Sequence, residues 1–372
     1  MKLAPLVLPV FFLGCRAAAP PRTSHAEARA DVQVDDLRMM QTRVATVLDQ
    51  PVSRDLNLTA SADASSMQVA GEHDPELHSL MLAVHGNHPA VLAAAGGTLG
   101  VRGALKDGGA ALVTVSGAAG GSWLTDGARA MGVASVDASL DGATLTGTLG
   151  LHYQRLTPDE RRVTLPDSWP ANRAGGEVAL AGTFAVSHGV ELGAGASLRV
   201  DGGQLANPYQ LAFYRSGLPT TELVPDLRVG GSFFTSATIP LSPNWALHGR
   251  ASFYGDDWAI AAASAEGAVS FQPSEELRVV LRYGFIDQLP ASFYAALYET
   301  TLRDSATART SSAPLGSLDQ NEVELSLRWR PVSLFFLSFG YAFTATHYRE
   351  ADFFVLAHTP SLGLGFDIPN PR

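Results

Sequence analysis

The stretch Glu322-Val323-Glu324-Leu325-Ser326-Leu327-Arg328-Trp329-Arg330 alternates with a period of two. Its odd positions are apolar and its even ones polar or charged, so it reads as a β-strand whose two faces meet different solvents. After Pro331-Val332-Ser333, a tight-turn sequence, Leu334 to Thr346 keeps the period. Phe335, Leu337, Phe339, Tyr341 and Phe343 there oppose Ser338, Gly340, Ala342 and Thr344. One such hairpin fits a soluble sandwich as well as a membrane barrel, because both alternate. Repetition along the chain separates them.

The pattern recurs at Leu145–Tyr153, Val178–Val186, Leu192–Val200, Leu227–Ile239, Trp245–Phe253, Ala259–Phe271, Leu277–Phe285 and from about Phe354 to Ile368. Weaker candidates precede these: Asp55–Val69, Leu80–Val84, Thr98–Leu105 and Ala111–Ser116, the last two joined by the hairpin signal Asp107-Gly108-Gly109. Short breaks at Asp141-Gly142, His188-Gly189, 240–243, 272–274 and 331–333 alternate with longer ones at 156–175, 202–225, 287–317 and 347–353. Gly255-Asp256-Asp257 is a short exception on the long side. A sandwich has no reason to sort its loops, whereas an outer-membrane barrel has tight periplasmic turns and long outer loops. The firm strands run roughly 10 to 14 residues where a tilted membrane strand needs about 9 to 11. The expected fold is therefore all-β, an antiparallel transmembrane β-barrel of about 12–14 strands in the bacterial outer membrane. Tyr153, Trp245, Tyr254, Trp258, Trp329, Tyr341 and Tyr348 are candidates for its aromatic girdles.

Composition agrees. Charged residues are 17% of the 372, below the usual quarter. The net charge of −10 and the lack of a basic cluster with interleaved aromatics argue against nucleic acid as a partner, because phosphate binding needs a basic face. Met1-Lys2 followed by apolar Leu3 to Gly14 reads as a secretory signal over residues 1–15. Cys15, the only cysteine, ends Phe12-Leu13-Gly14-Cys15, which resembles a bacterial lipoprotein processing box with Phe12 in place of the usual Leu. Cys15 is thus a lipidation candidate, with ordinary cleavage near Ala17 to Ala19 as the alternative. Residues 16–53 are expected to be a tether or a periplasmic or plug segment. Within them Val34, Leu37, Gln41, Val44 and Leu48 approximate a helical stripe, and Thr42 to Leu48 reads equally as a strand. The barrel is then expected over 54–372.

Three motifs carry a family resemblance: Glu222-Leu223-Val224-Pro225-Asp226-Leu227-Arg228, then Phe253-Tyr254-Gly255-Asp256-Asp257-Trp258, then Arg282-Tyr283 with Gln288 and Ala291-Ser292-Phe293-Tyr294. In order and spacing they resemble an uncharacterised, domain-of-unknown-function family of Gram-negative outer-membrane proteins expected to form β-barrels. Asp63-Ala64-Ser65-Ser66 echoes a further segment of that family. The resemblance implies an architecture and supplies no activity. Outer-membrane barrels commonly end on an aromatic that the assembly machinery reads, while this sequence continues past Phe366 to Pro371-Arg372.

Sequence motifs for chemistry are sparse. GxSxG, P-loop, HExxH and complete GxGxxG patterns do not occur, and Gly193-Ala194-Gly195 lies inside a strand. His73, His78, His85 and His88 match no tight metal-ligand spacing and read as loop histidines. A lipid enzyme at the rim would need a serine beside His347 or His358, and nothing singles one out. The informative residues are the charges on the inward face: Arg199, Arg228, Arg250, Arg278, Arg282, Arg328 and Arg330 with Glu177, Glu191, Glu266, Glu322 and Glu324. They either line a pore and set its solute preference or fill and stiffen a closed lumen. At the outer rim, Asp256, Asp257 and Trp258 read as a turn with solvated acids, with cation binding as the sharper alternative. Phe293, Tyr294, Leu297, Tyr298 and Leu302 have helical spacing, which allows a short helix at the mouth as well as a surface loop. The expected function is a channel or transport protein for small solutes, without enzyme activity or cofactor. A closed structural or surface-interaction barrel is the alternative, and a rim enzyme comes third. The expected partners are outer-membrane lipid, the assembly machinery and small solutes.

Overall fold

A computed structural model describes residues 23–369 except 38, 54–55, 70–90, 107–111, 125–126, 141, 158–171, 188, 208–209, 217–218 and 300–307. Its strands are β1 (Thr23–Asp35), β2 (Met39–Pro51), β3 (Leu56–Val69), β4 (Val91–Lys106), β5 (Leu112–Leu124), β6 (Gly127–Leu140), β7 (Ala143–Leu156), β8 (Asn172–Ser187) and β9 (Val190–Gly203). They continue as β10 (Leu211–Phe213), β11 (Pro219–Thr221), β12 (Leu227–Ser242), β13 (Trp245–Asp256), β14 (Ala261–Phe271), β15 (Leu277–Gln288), β16 (Leu318–Val332), β17 (Phe335–Tyr348) and β18 (Phe353–Pro369). Sixteen of them close into one barrel, and β10 and β11 form a separate small hairpin. Neighbours pair antiparallel in chain order, and β1 zips onto β18 from Thr23↔Pro369 to Asp35↔Ala357. Closure leaves no sheet edge, so every ladder group is satisfied without water.

Two expectations change. Residues 23–51 are not a tether or plug: they are β1 and β2, each hydrogen-bonded into the wall. The barrel also has sixteen strands rather than 12–14. The reason lies in the lipid-facing residues. Ala26, Ala28 and Ala30 of β1 sit opposite the outward Phe366, Leu364 and Leu362. In β6, Ala130, Gly132 and Ala134 sit opposite Tyr153, Leu151 and Leu149. Small residues give little hydropathy contrast, so these strands were faint. The candidate strand Leu80–Val84, the histidines at 73–88, the Asp107-Gly108-Gly109 turn and the 1–15 segment with Cys15 lie outside the described residues.

Loop sorting holds on one side. Connections 52–55, 107–111, 141–142, 188–189, 243–244, 272–276 and 333–334 share one end of the barrel, and all are short. The other end carries 70–90, 157–171, 204–226 and 289–317, together with the short 36–38, 125–126, 257–260 and 349–352. By the outer-membrane rule the short-turn end is periplasmic. Gly142 and Gly189 turn there with φ of 75° and 79°, a left-handed backbone that glycine adopts without strain. Pro331 is accommodated in a register shift between Trp329 and Val332.

The outward face is apolar between two aromatic levels. Tyr153, Tyr283 and Tyr341 mark the upper level, each hydroxyl bonded across the strand, to Asn172 (2.8 Å), Asn321 (2.6 Å) and His358 (2.6 Å). Trp245 stacked on Phe271 (4.3 Å), Trp329, and Phe335 against Phe366 (5.4 Å) mark the lower one. Asn321 to Trp329 along a strand tilted by about 40° spans about 20 Å, close to the ~25 Å apolar band of such barrels. Tyr254, Trp258 and Tyr348 do not join the girdles. Tyr254 and Tyr348 fall on the inward register, and Trp258 is buried under the mouth loops.

Candidate functional site

The site builds up from the inner wall. All the inward charges expected from the alternation fall on the lumen side of their strands. Four strands bring the central group together. Arg282 of β15 donates to Glu324 of β16 through Nε (2.9 Å) and Nη2 (2.5 Å) and to Glu266 of β14 (3.2 Å), and it also pairs with Glu322. Arg250 sits opposite Glu266 and lies over Phe234, 4.2 Å from the ring centre. Despite these bonds, the side chains of Arg282, Glu266, Glu322 and Glu324 keep 26–32% of their surface accessible. Elsewhere the wall is lined by small hydroxyls paired across strands: Ser61 with Thr98, Ser116 with Ser135, Ser197 with Ser232 and Ser252 with Ser264. Among the described residues, both buried hydrophobic clusters sit at the long-loop end and none crosses the lumen.

The two ends differ. At the short-turn end, Asp367 accepts from Arg330 (2.5 Å) and His25 (2.7 Å), and His25 stacks on Phe336. Arg328 also lies over that ring, 3.6 Å from its centre. Arg278 sits opposite Arg328, and among the described residues neither reaches a carboxylate within 4 Å. Toward the long-loop end, Glu177 faces Arg199, which bonds Asp201 (2.6 Å), and Asp201 also meets His152 (2.9 Å). Glu191, back at the short-turn end of β9, faces Thr238.

Asp256, Asp257 and Trp258 form a turn rather than a cation site. The Asp256 side chain is 0% exposed and pairs with Arg228. Its Oδ1 accepts the backbone N–H of Trp258 and Ile260 (both 3.0 Å), and its Oδ2 accepts Arg228 Nε (2.7 Å) and the Tyr254 hydroxyl (2.8 Å). Asp257 caps Val229 N–H (2.9 Å), while the Trp258 indole donates to Leu227 O (2.9 Å) and carries Arg228 over its ring. With these donors in place, Asp256 has no oxygen left for a metal. Among the described residues no group of acids and histidines could hold one. His347 bonds Asp319 and His358 bonds Tyr341, so neither is held by a serine.

What the sequence did not reveal is how the two long loops meet. Segment 289–299, whose spacing leaves a short helix and a surface loop both open, is a series of turns with isolated bridges and no helix. Bridges from Tyr298 to Tyr214 and from Leu223 to Arg309 join the β10–β11 loop to the 289–317 loop, and a bridge from Tyr294 to Thr310 closes the second loop on itself. Ala206 and Val224 of the first loop share a core with Ala291 and Leu315 of the second, against Trp258 and Ile260. Ala313 reaches the inward Tyr348, Phe353 and Val355 and the turn residue Leu37. Gln288, on the lumen wall, donates to Pro314 O and Gly316 O. The second loop therefore folds inside the rim. Its position depends on long-range contacts that no local pattern encodes.

A closed antiparallel barrel with a lipid-compatible outside and a charged inside is an outer-membrane β-barrel, and the bacterial outer membrane is its location. Residues 172–330 match the model of a family described as a protein of unknown function, DUF3570. The three motifs fall inside that span, so the resemblance to an uncharacterised outer-membrane barrel family holds. No curated protein sequence matches. Among solved structures, a bacterial polysaccharide outer membrane secretin is similar at 9% identity and a TM-score of 0.52, over 93% of this chain and 99% of that one. The ferric enterobactin receptor of Pseudomonas aeruginosa matches at 9% identity and a TM-score of 0.44, over 89% of this chain and 54% of that one. A siderophore receptor of Acinetobacter baumannii matches at 10% identity and 0.44, over 87% and 52%. The chain spans about half the length of those receptors.

Proposed function

We propose that this barrel is a channel for small polar solutes, narrowed at its outer mouth by the two docked loops. The carrying observation is the accessible ionic group at mid-height, Arg282 with its three glutamates. In a barrel filled by side chains those residues would be dry, and sixteen strands are enough to leave an aqueous interior. The wall of hydroxyls and ion pairs suits hydrated solutes rather than lipid. This reading has no catalytic step and no cofactor. Export directed by residues 1–15, contact with the assembly machinery and acylation of Cys15 belong to it as well, and mass spectrometry of the mature N-terminus tests the last.

Planar-bilayer recording of the detergent-folded protein tests the channel. Discrete conductance steps, altered in the Arg278→Ala/Arg282→Ala double variant, support it. A bilayer that stays sealed at all voltages overturns it in favour of a structural or surface-interaction barrel.

A further inference from the structure

Glu222 follows β11 and belongs to the Glu222–Arg228 motif, whose role the channel wall does not explain. It is 9% exposed, at the junction of the two mouth loops. Its Oε2 accepts Asn207 N–H from its own loop (2.7 Å), and its Oε1 accepts the Thr310 hydroxyl from the other (2.5 Å). Thr310 is 0% exposed and its Oγ1 also accepts Ser312 N–H, so this contact anchors the segment that folds onto the inner wall.

The charge balance there is unusual. Among the described residues, Glu222 has no cation within ion-pair distance. Arg309, the basic residue next to its partner Thr310, turns its Nε to Thr221 O (3.2 Å). Among the described residues, the other ionisable groups facing the junction are Tyr298, whose hydroxyl donates to Phe293 O and accepts Thr310 N–H, and Tyr214 against it. Burial pushes the Tyr298 hydroxyl up, so it supplies no charge. A buried carboxylate with two hydrogen bonds and no counter-charge is poorly compensated. Burial accordingly pushes the Glu222 carboxyl up to about 7.

We propose that Glu222 is a proton-operated clasp: protonated, it holds the 204–226 and 289–317 loops together inside the mouth, and ionised, it releases them. Because the carboxyl is harder to ionise when docked, the stabilisation is complete below its ordinary value of 4.5 and is lost as pH rises through about 7. The consequence for flow rests on the channel reading, whereas the docking itself does not.

Hydrogen–deuterium exchange of the full detergent-folded chain, corrected for intrinsic rates, separates the two. Peptides from 204–207, 219–226 and 308–317 should lose roughly ten-fold protection between about pH 5 and about pH 8.5, while strand peptides do not change. Glu222→Gln, neutral at every pH, should keep its protection throughout. Thr310→Val, which removes the hydroxyl and leaves the carboxyl, should expose both loops at about pH 5 too. Flat protection in the wild type, an unaltered response in Glu222→Gln, or unchanged protection in Thr310→Val would each overturn the clasp. In bilayers, conductance should rise several-fold over the same range. A responsive loop in a protein that never conducts would keep the clasp and sink the channel. A conducting protein with responsive loops and flat conductance would remove the gating role.

Discussion

Arg228 and Asp256, on adjacent strands, form a contact in which the guanidinium bonds the carboxylate at 2.5 Å and rests on the Trp258 ring at 4.7 Å. The pair fastens the rim turn 257–260 to β12 directly below the docked loops.

Asp256→Ala leaves Arg228, Tyr254 and two backbone N–H groups without their acceptor in a buried place. The expected loss is about 3 kcal/mol, within the range for breaking a buried pair. Denaturant unfolding of the barrel in vesicles measures it, and a change below about 1 kcal/mol would contradict the arrangement. Calcium or a chelator should leave the wild-type midpoint where it is.

Phe336, 1% exposed, lies over Gly365 on β18, where an added Cβ would come within 2.0 Å of the ring. Gly365→Val must displace this ring, on which His25 stacks and over which Arg328 lies. Overpacking of this kind costs about 1–3 kcal/mol. The heat-modifiable gel shift of the folded barrel should fall to lower temperature, and Phe336→Ala in the same chain should recover part of the loss.

Arg282→Ala leaves Glu266, Glu322 and Glu324 without their shared cation. In a conducting barrel the inner wall becomes more negative, so the reversal potential in a salt gradient should move toward cation preference. The opposite movement, or none, would place these glutamates outside the conducting path.

Leu325, 51% exposed, lies between the two aromatic levels, while Val332, 57% exposed, lies beyond Trp329 at the short-turn end. Leu325→Arg should cost about 2–4 kcal/mol and Val332→Arg about 0–1, as depth in the bilayer dictates. Equal costs would mean that the apolar band is set at the wrong height.

The sequence made legible those elements whose outward residues are large. Val323, Leu325, Phe339 and Tyr341 contrast sharply with Glu322, Glu324, Ser338 and Gly340, and the wall they form has the expected faces. Where alanine and glycine face lipid, as in β1 and β6, the alternation nearly vanishes and with it the strand signal. The inward charges were also legible, because period two assigns a face to each. Their partners were not: Arg282 collects carboxylates from β14 and β16, and Glu222 meets Thr310 across most of a loop pair. Such meetings are fixed by closure and loop docking, which no window of neighbouring residues contains.

The seam between β1 and β18 joins residues at opposite ends of the chain, with Ala26 beside Phe366. Until the final strand has been synthesised and exported, the first has only one neighbour and a row of backbone donors and acceptors left open. Closing the cylinder therefore depends on the most non-local pairing among the described strands, that of residues as far apart in sequence as His25 and Asp367. Any truncation before Phe353 would leave an unfinished sheet with two sticky margins, prey for proteases and for other unfinished copies.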